Sequence, residues 1–220
     1  MLGIPANDRN RFHRWSTAIV SSNSSRWGTL KAIPNVMAFV GYIRMLIKAK
    51  RESPDEDLLT ALVNAEEAGD QFNDDELLAM VFLLLGAGHE TTVNLIANGV
   101  LTLLESTDQL RALLNDPALI KSAVEGLLRF NGPLETATER YAREETVVAG
   151  STIPRGELVV AVLASANRDE QQFKDPDRLD LARDPNRHLA FGYGVHYCLC
   201  APLGSLGGTD CHQHVPSKNS

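Results

Sequence analysis

Apolar side chains recur at helical spacing along most of the chain up to Asn131. Phe12, Trp15, Ile19 and Val20 fall on one face of an early amphipathic helix, and the Ser/Asn-rich stretch from Ser21 to Ser25 follows as a loop. Val36, Phe39, Val40, Ile43, Leu46 and Ile47 mark a second helix that ends in the charged run Lys48 to Glu52. Leu58, Leu59, Leu62 and Val63 mark a short third helix, stopping near Gly69. Asn73 then reads as an N-cap with Glu76 as its capping-box partner. The helical pattern that starts there runs to about Leu104 and is apolar nearly all round at first, so this helix is expected to cross a protein interior. Two more helices, Asp108 to Leu114 and Ala118 to Phe130, are divided at Pro117, which suits a first-turn position.

Beyond Asn131 the texture changes. Thr146 to Ala149 and Leu158 to Leu163 are β-rich, joined by a turn at Pro154, Arg155 and Gly156. Asn167 to His188 is a long Asp/Pro/Arg-rich loop. From Ser205 onward neither period is present, and the last 16 residues read as a disordered tail. A mainly α chain with small β-sheets (α+β) is predicted.

Composition narrows the function. The net charge is -7, and Lys and Arg are scattered among acids, which argues against phosphate-neutralising nucleic-acid binding. Asp8, Arg9, Arg11 and Arg14 interrupt any early apolar leader. The longest apolar run, Leu77 to Gly88, falls short of the ~20 residues of a membrane span. A cytoplasmic, membrane-free and monomeric protein is the expectation. The 3 cysteines all lie near the C-terminus and form no disulfide framework.

Two segments carry candidate chemistry. In Phe191-Gly-Tyr-Gly-Val-His-Tyr-Cys198, Gly192 and Gly194 remove side chains and permit left-handed backbone, so a flat macrocycle can come close to a cysteine sulfur. Free backbone N–H groups in such a turn can tune a metal-bound sulfur. In Ala87-Gly-His-Glu-Thr-Thr92, Gly88 costs the long helix about 1 kcal/mol relative to Ala. The Thr91 hydroxyl can turn back toward the Ala87 carbonyl, which bends helices. An acid and an alcohol beside a local opening suit proton delivery to dioxygen.

Together these segments resemble the cysteine loop and the oxygen-side motif of the cytochrome P-450 family, bacterial soluble type. The resemblance implies haem with Cys198 as axial thiolate, and Phe191, Gly192, Gly194, Ala87 and Gly88 around the cofactor. It also implies Thr91 and Glu90 as proton-handling groups, and Arg140, His188 and His196 as cations for the haem propionates. Such enzymes insert one atom of O2 into a small organic substrate, with electrons from NAD(P)H through a ferredoxin- or flavin-type partner. Asn167-Arg-Asp and Asp175-Pro-Asp-Arg178 match further family segments, as does Leu2-Gly-Ile-Pro with Asp8, Phe12 and Trp15 near the start. Arg178 is expected to lock the loop to the Arg129 helix through a shared glutamate.

Four departures qualify the match, which runs over residues 1–204. Family members are about twice as long, so the chain is expected to be an incomplete copy of one domain, followed by the divergent 205–220 tail. Gly126 stands where the family's Glu-x-x-Arg has its acid, and Glu125, on a neighbouring face, is the candidate substitute partner. Cys200 replaces a family glycine, and the change of texture after Gly204 looks like a shifted frame or altered splice. An inactive or unstable remnant is therefore one alternative. A zinc site from Cys198, Cys200, Cys211, His212 and His214 is the other.

Overall fold

The computed structural model describes residues 4–21, 26–67 and 73–201. The helices are α1 (Arg9–Ser21), α2 (Arg26–Glu52), α3 (Leu58–Glu67), α4 (Asp74–Glu105), α5 (Thr107–Asn115), α6 (Ile120–Asn131) and the short α7 (Leu163–Ala166). The strands are β1 (Arg140–Tyr141), β2 (Thr146–Val148), β3 (Ser151–Ile153) and β4 (Leu158–Val159). This is the mainly helical architecture with small sheets that the pattern predicts. The chain falls into two compact units, Met1–Glu90 and Thr91–Ser220.

In the first unit, α1, α2, α3 and the start of α4 enclose one apolar cluster. Phe12, Trp15, Phe39, Tyr42, Ile43, Val63, Leu77 and Val81 are all buried in it. Helix α2 starts earlier than the pattern suggests and runs through Pro34. Its leading part escaped detection because Leu30, Ile33 and Met37 stay exposed and mark no buried stripe. The predicted capping box opens α4: Asn73 Oδ1 accepts from the Asp75 and Glu76 amides at 3.1 and 3.0 Å, and Glu76 Oε2 accepts from the Asn73 amide at 2.9 Å. Lys50 ties the end of α2 to the start of α3, with Nζ 2.5 Å from Asp55 and 2.6 Å from Asp57. Ser21 lies at the end of α1, whereas Ser22 to Ser25, the rest of the expected loop, lie outside the described residues.

The second unit buries Leu103, Ala123, Leu127, Leu179 and Leu181 in one cluster and Leu95, Val124 and Leu128 in another. Strand pairing differs from the expected hairpin. β2 turns back at once onto β3 through Ala149 and Gly150, both left-handed (φ 49° and 81°), and β4 reaches back to β1 in antiparallel register. Two consecutive left-handed residues match the twist of a two-residue hairpin, and Ala149 hid that turn from a reading based on Gly/Asn pairs. The predicted turn at Pro154–Gly156 does form, with the Glu157 amide on the Pro154 carbonyl at 3.2 Å, and it leads into β4. By length and composition, Leu30–Glu52 and Asp74–Glu105 are each sufficient to cross a membrane, unlike the uninterrupted run counted in sequence. Polar residues such as His89 and Glu90 shorten that run without making α4 polar on average. Both helices bury one side in protein cores.

Candidate functional site

The cysteine loop hangs from α6 and the end of the long loop. Phe191 packs on the cluster of Leu95, Val124 and Leu128, which anchors the start of the turn. The Gly192 amide donates to the Leu189 carbonyl at 2.9 Å, and the Cys198 amide closes the turn on the Phe191 carbonyl at 2.9 Å. Between them Gly192 and Gly194 sit at φ 73° and 75°, a region where a side chain would strain the backbone. A β-carbon on Gly194 would meet nothing within 4 Å. Tyr193 and Val195 are 88% and 97% exposed and Leu199 73%, while the Cys198 thiol is half-buried. An open apolar turn around a partly sheltered sulfur fits a flat, apolar macrocycle. Cys200 is half-buried too, and burial first, then the neighbouring Cys198, pushes its thiol pKa up.

The other predicted site residues have distinct settings. Ala87, Gly88, Glu90 and Thr91 lie on α4, which remains one continuous 32-residue helix through the motif. Glu90 Oε1 accepts from the Ser16 hydroxyl at 2.9 Å, and His89 stacks edge-on against Phe12 at 4.9 Å. Arg140 is exposed on β1, where its guanidinium donates to the hydroxyl of Thr138 and the carbonyl of Glu139. His196 is exposed in a short 3-10 turn, Gly194–His196. His188 is turned inward: Nε2 lies 2.8 Å from Glu125 Oε2, and Nδ1 accepts from the Ala190 amide at 3.2 Å. Its two ring nitrogens are thus engaged within the protein, unlike the free cation foreseen for a propionate. A cleft of about 360 Å³ opens here, lined by Glu125, His188, Phe191 and Tyr197 among others.

The loop lock also differs from the expected shared glutamate. Arg129, 2% exposed, reaches the loop itself: Nη1 donates to the carbonyls of Asn167 (3.1 Å) and Pro176 (2.8 Å), and Nη2 to that of Arg178 (3.1 Å). The Arg178 side chain is exposed and contributes its carbonyl. Arg129 Nε is buried without a partner, and among the described residues no carboxylate pairs with this guanidinium. Burial, then the nearby Arg183 and Arg168, lower its pKa to about 10. At Gly126 a β-carbon would lie 3.3 Å from the Asp180 carbonyl oxygen and 3.7 Å from Leu181 Cα, so the loop occupies the space beside α6 where a side chain would start. Asn167, which opens the Asn167-Arg-Asp segment matched to the family without a stated role, links both arrangements: its carbonyl takes Arg129, and its Oδ1 takes the Leu189 amide at 2.7 Å. Of the alternative zinc ligands, Cys211, His212 and His214 lie outside the described residues, and no cluster of three metal-binding side chains occurs among those described.

A thiol-presenting glycine turn on a mainly helical scaffold defines the class, and comparison with known proteins gives the family. The sequence profile of the cytochrome P-450 family matches residues 28–116 and 112–206, and the chain belongs to that family. It is 45% identical over 206 residues to cytochrome P-450 107B1 of Saccharopolyspora erythraea, covering 94% of this chain and 50% of that protein. It is 45% identical over 214 residues to the vitamin D(3) 25-hydroxylase of Pseudonocardia autotrophica, covering 94% and 51%. A crystal structure of a myxobacterial cytochrome P-450 in complex with myristic acid superposes with a TM-score of 0.89 at 45% identity, covering 96% of this chain and 52% of that one. The chain spans about half the length of the curated relatives it matches.

Proposed function

We propose that this chain carries the haem-thiolate part of a monooxygenase that inserts one oxygen atom of O2 into a small organic substrate. The observation that carries the reading is the turn closed by the Cys198 amide on the Phe191 carbonyl, with left-handed glycines at 192 and 194 and a half-buried thiol at its end. When bound, haem supplies reductive cleavage of O2 at its iron. Cys198 Sγ would hold the iron as its thiolate ligand, and the bare backbone at Gly192 and Gly194 would leave the macrocycle room. Arg140 and His196, both exposed, offer cations to its carboxylates. Thr91 and Glu90, adjacent on α4, hold and pass protons through hydroxyl and carboxylate oxygens. Electrons come from NAD(P)H through a ferredoxin- or flavin-type partner in the cytoplasm. The names of relatives, among them a vitamin D(3) 25-hydroxylase and a mycinamicin IV hydroxylase/epoxidase, support an organic substrate and an oxygen insertion.

The test is haem loading of the purified chain followed by the reduced carbon-monoxide spectrum. The expected result is a band at the thiolate-ligated position that Cys198→Ser abolishes and Cys200→Ser retains. A spectrum indifferent to Cys198→Ser, or native protein holding zinc without iron, overturns the proposal.

A further inference from the structure

We infer that Glu125, acting through His188, is the positioning residue that holds the Cys198 loop in register against α6, a role the Glu-x-x-Arg acid position cannot fill in this chain because it is Gly126. The inference rests on the reading of Cys198 as the haem ligand.

The connection can be followed atom by atom. Glu125 sits in the middle of α6, and its Oε2 lies 2.8 Å from His188 Nε2. The His188 side chain is 5% exposed. Because Nδ1 accepts from the Ala190 amide, the ring carries a proton on Nε2 and donates it to the carboxylate. The same ring lies 5.9 Å from that of Phe191, and the Phe191 carbonyl receives the Cys198 amide. Helix, carboxylate, imidazole and Ala190 amide thus form one hydrogen-bonded sequence, and the backbone leads straight from Ala190 into Phe191, whose carbonyl closes the turn on the Cys198 amide. Arg129, by contrast, holds the earlier part of the loop through the carbonyls of residues 167, 176 and 178 and makes no bond to the 188–198 turn. The two functions that one acid could serve are therefore divided: carbonyls receive the arginine, and Glu125 receives the histidine.

The experiment compares wild-type protein, Glu125→Gln, which keeps an acceptor for Nε2–H, and Glu125→Leu, which removes it. In each folded, haem-free full chain, alkylation of Cys198 by iodoacetamide is followed by peptide mass. In each haem-loaded sample, the share of the reduced carbon-monoxide band at the thiolate position is recorded. The expected result is a Cys198 alkylation rate about tenfold faster in Glu125→Leu, with Glu125→Gln close to wild type. Glu125→Leu should also lose much of the thiolate band, with Glu125→Gln restoring it. Equal alkylation rates in all three proteins overturn the inference. If wild-type protein takes up no haem, the proposed function fails, while the alkylation rates still decide the positioning role. If Glu125→Leu does not fold, His188→Phe, which keeps the ring packing and deletes both hydrogen bonds, gives the same two readouts.

Discussion

Replacing Arg129 by methionine tests how the long loop is held. Methionine approximates the buried volume but offers no donor, so the carbonyls of Asn167, Pro176 and Arg178 lose a charged partner now 2.8–3.1 Å away. Each buried acceptor left open costs about 1–3 kcal/mol. Opposing this, the wild-type chain keeps a guanidinium out of water with Nε unpartnered, and methionine relieves that desolvation, an effect of several kcal/mol. Breaking a buried ion pair typically costs about 3–5 kcal/mol because a lone charge remains. Here no carboxylate is left behind, so the expected net loss is smaller, about 2–3 kcal/mol. The assay is guanidinium unfolding by far-ultraviolet circular dichroism, joined with hydrogen exchange. The Arg178 amide, now on the Asp175 carbonyl, and the Leu189 amide, now on Asn167 Oδ1, should exchange faster. Stability unchanged within about 0.5 kcal/mol, or exchange accelerated elsewhere but not in residues 167–189, would refute the reasoning.

Other outcomes follow from neighbouring contacts. Asn167→Ala should cost about 1–3 kcal/mol in the same unfolding assay, because the Leu189 amide loses its 2.7 Å acceptor. Gly126→Ala and Gly126→Glu both press a β-carbon on the Asp180 carbonyl, but only glutamate brings a carboxylate to Arg129. The glutamate variant should therefore exceed the alanine variant by about 1–3 kcal/mol, and equal stabilities would remove the missing-acid argument. In the first unit, burial alone would raise the Asp57 pKa, but the Lys50 ammonium and the Thr60 amide and hydroxyl overcome it and hold the carboxyl below its ordinary range. A lowered folded pKa means the unfolded chain binds more protons on acidification. This stability is thus present above about pH 4 and lost as pH falls through the folded pKa. Unfolding followed by Trp15 fluorescence should show that acid slope, and Asp57→Asn should flatten it; an unchanged slope would exclude Asp57 as its source.

How much was legible in the sequence depended on the range of the interaction. The Asn73–Glu76 capping box is written in residues three apart and forms as read. The cysteine turn was legible for the same reason: Gly192, Gly194 and Cys198 meet within a single turn closed by a bond across seven residues. Strand pairing was not local. Tyr141 finds Leu158 across an intervening hairpin whose turn uses Ala149, and no period in the sequence announces that choice. The start of α2 was hidden for a different reason, since helix formation continues through Pro34 where the apolar residues face outward and leave no stripe to detect.

The same distinction explains why Glu125 was legible as a candidate but not its partner. Sequence spacing placed it one position from the missing acid and four from Arg129, and a helix lets residues four apart meet. What spacing cannot express is the competition from the loop. His188 lies 63 residues further along and presents Nε2 to Glu125 at 2.8 Å, while the loop carbonyls already surround the Arg129 guanidinium. Glu125 is therefore used where a donor is otherwise short of an acceptor, and the Nη1 and Nη2 groups of Arg129 are taken by backbone, whose carbonyls are present whatever the sequence. Loss of the acid at position 126 then removes a charge partner from Arg129 without removing the loop's hydrogen bonds. On this arrangement, substitution at Arg129 should loosen the segment around 167–178 and, through Asn167, the Leu189 amide, and substitution at Glu125 the turn around 190–198.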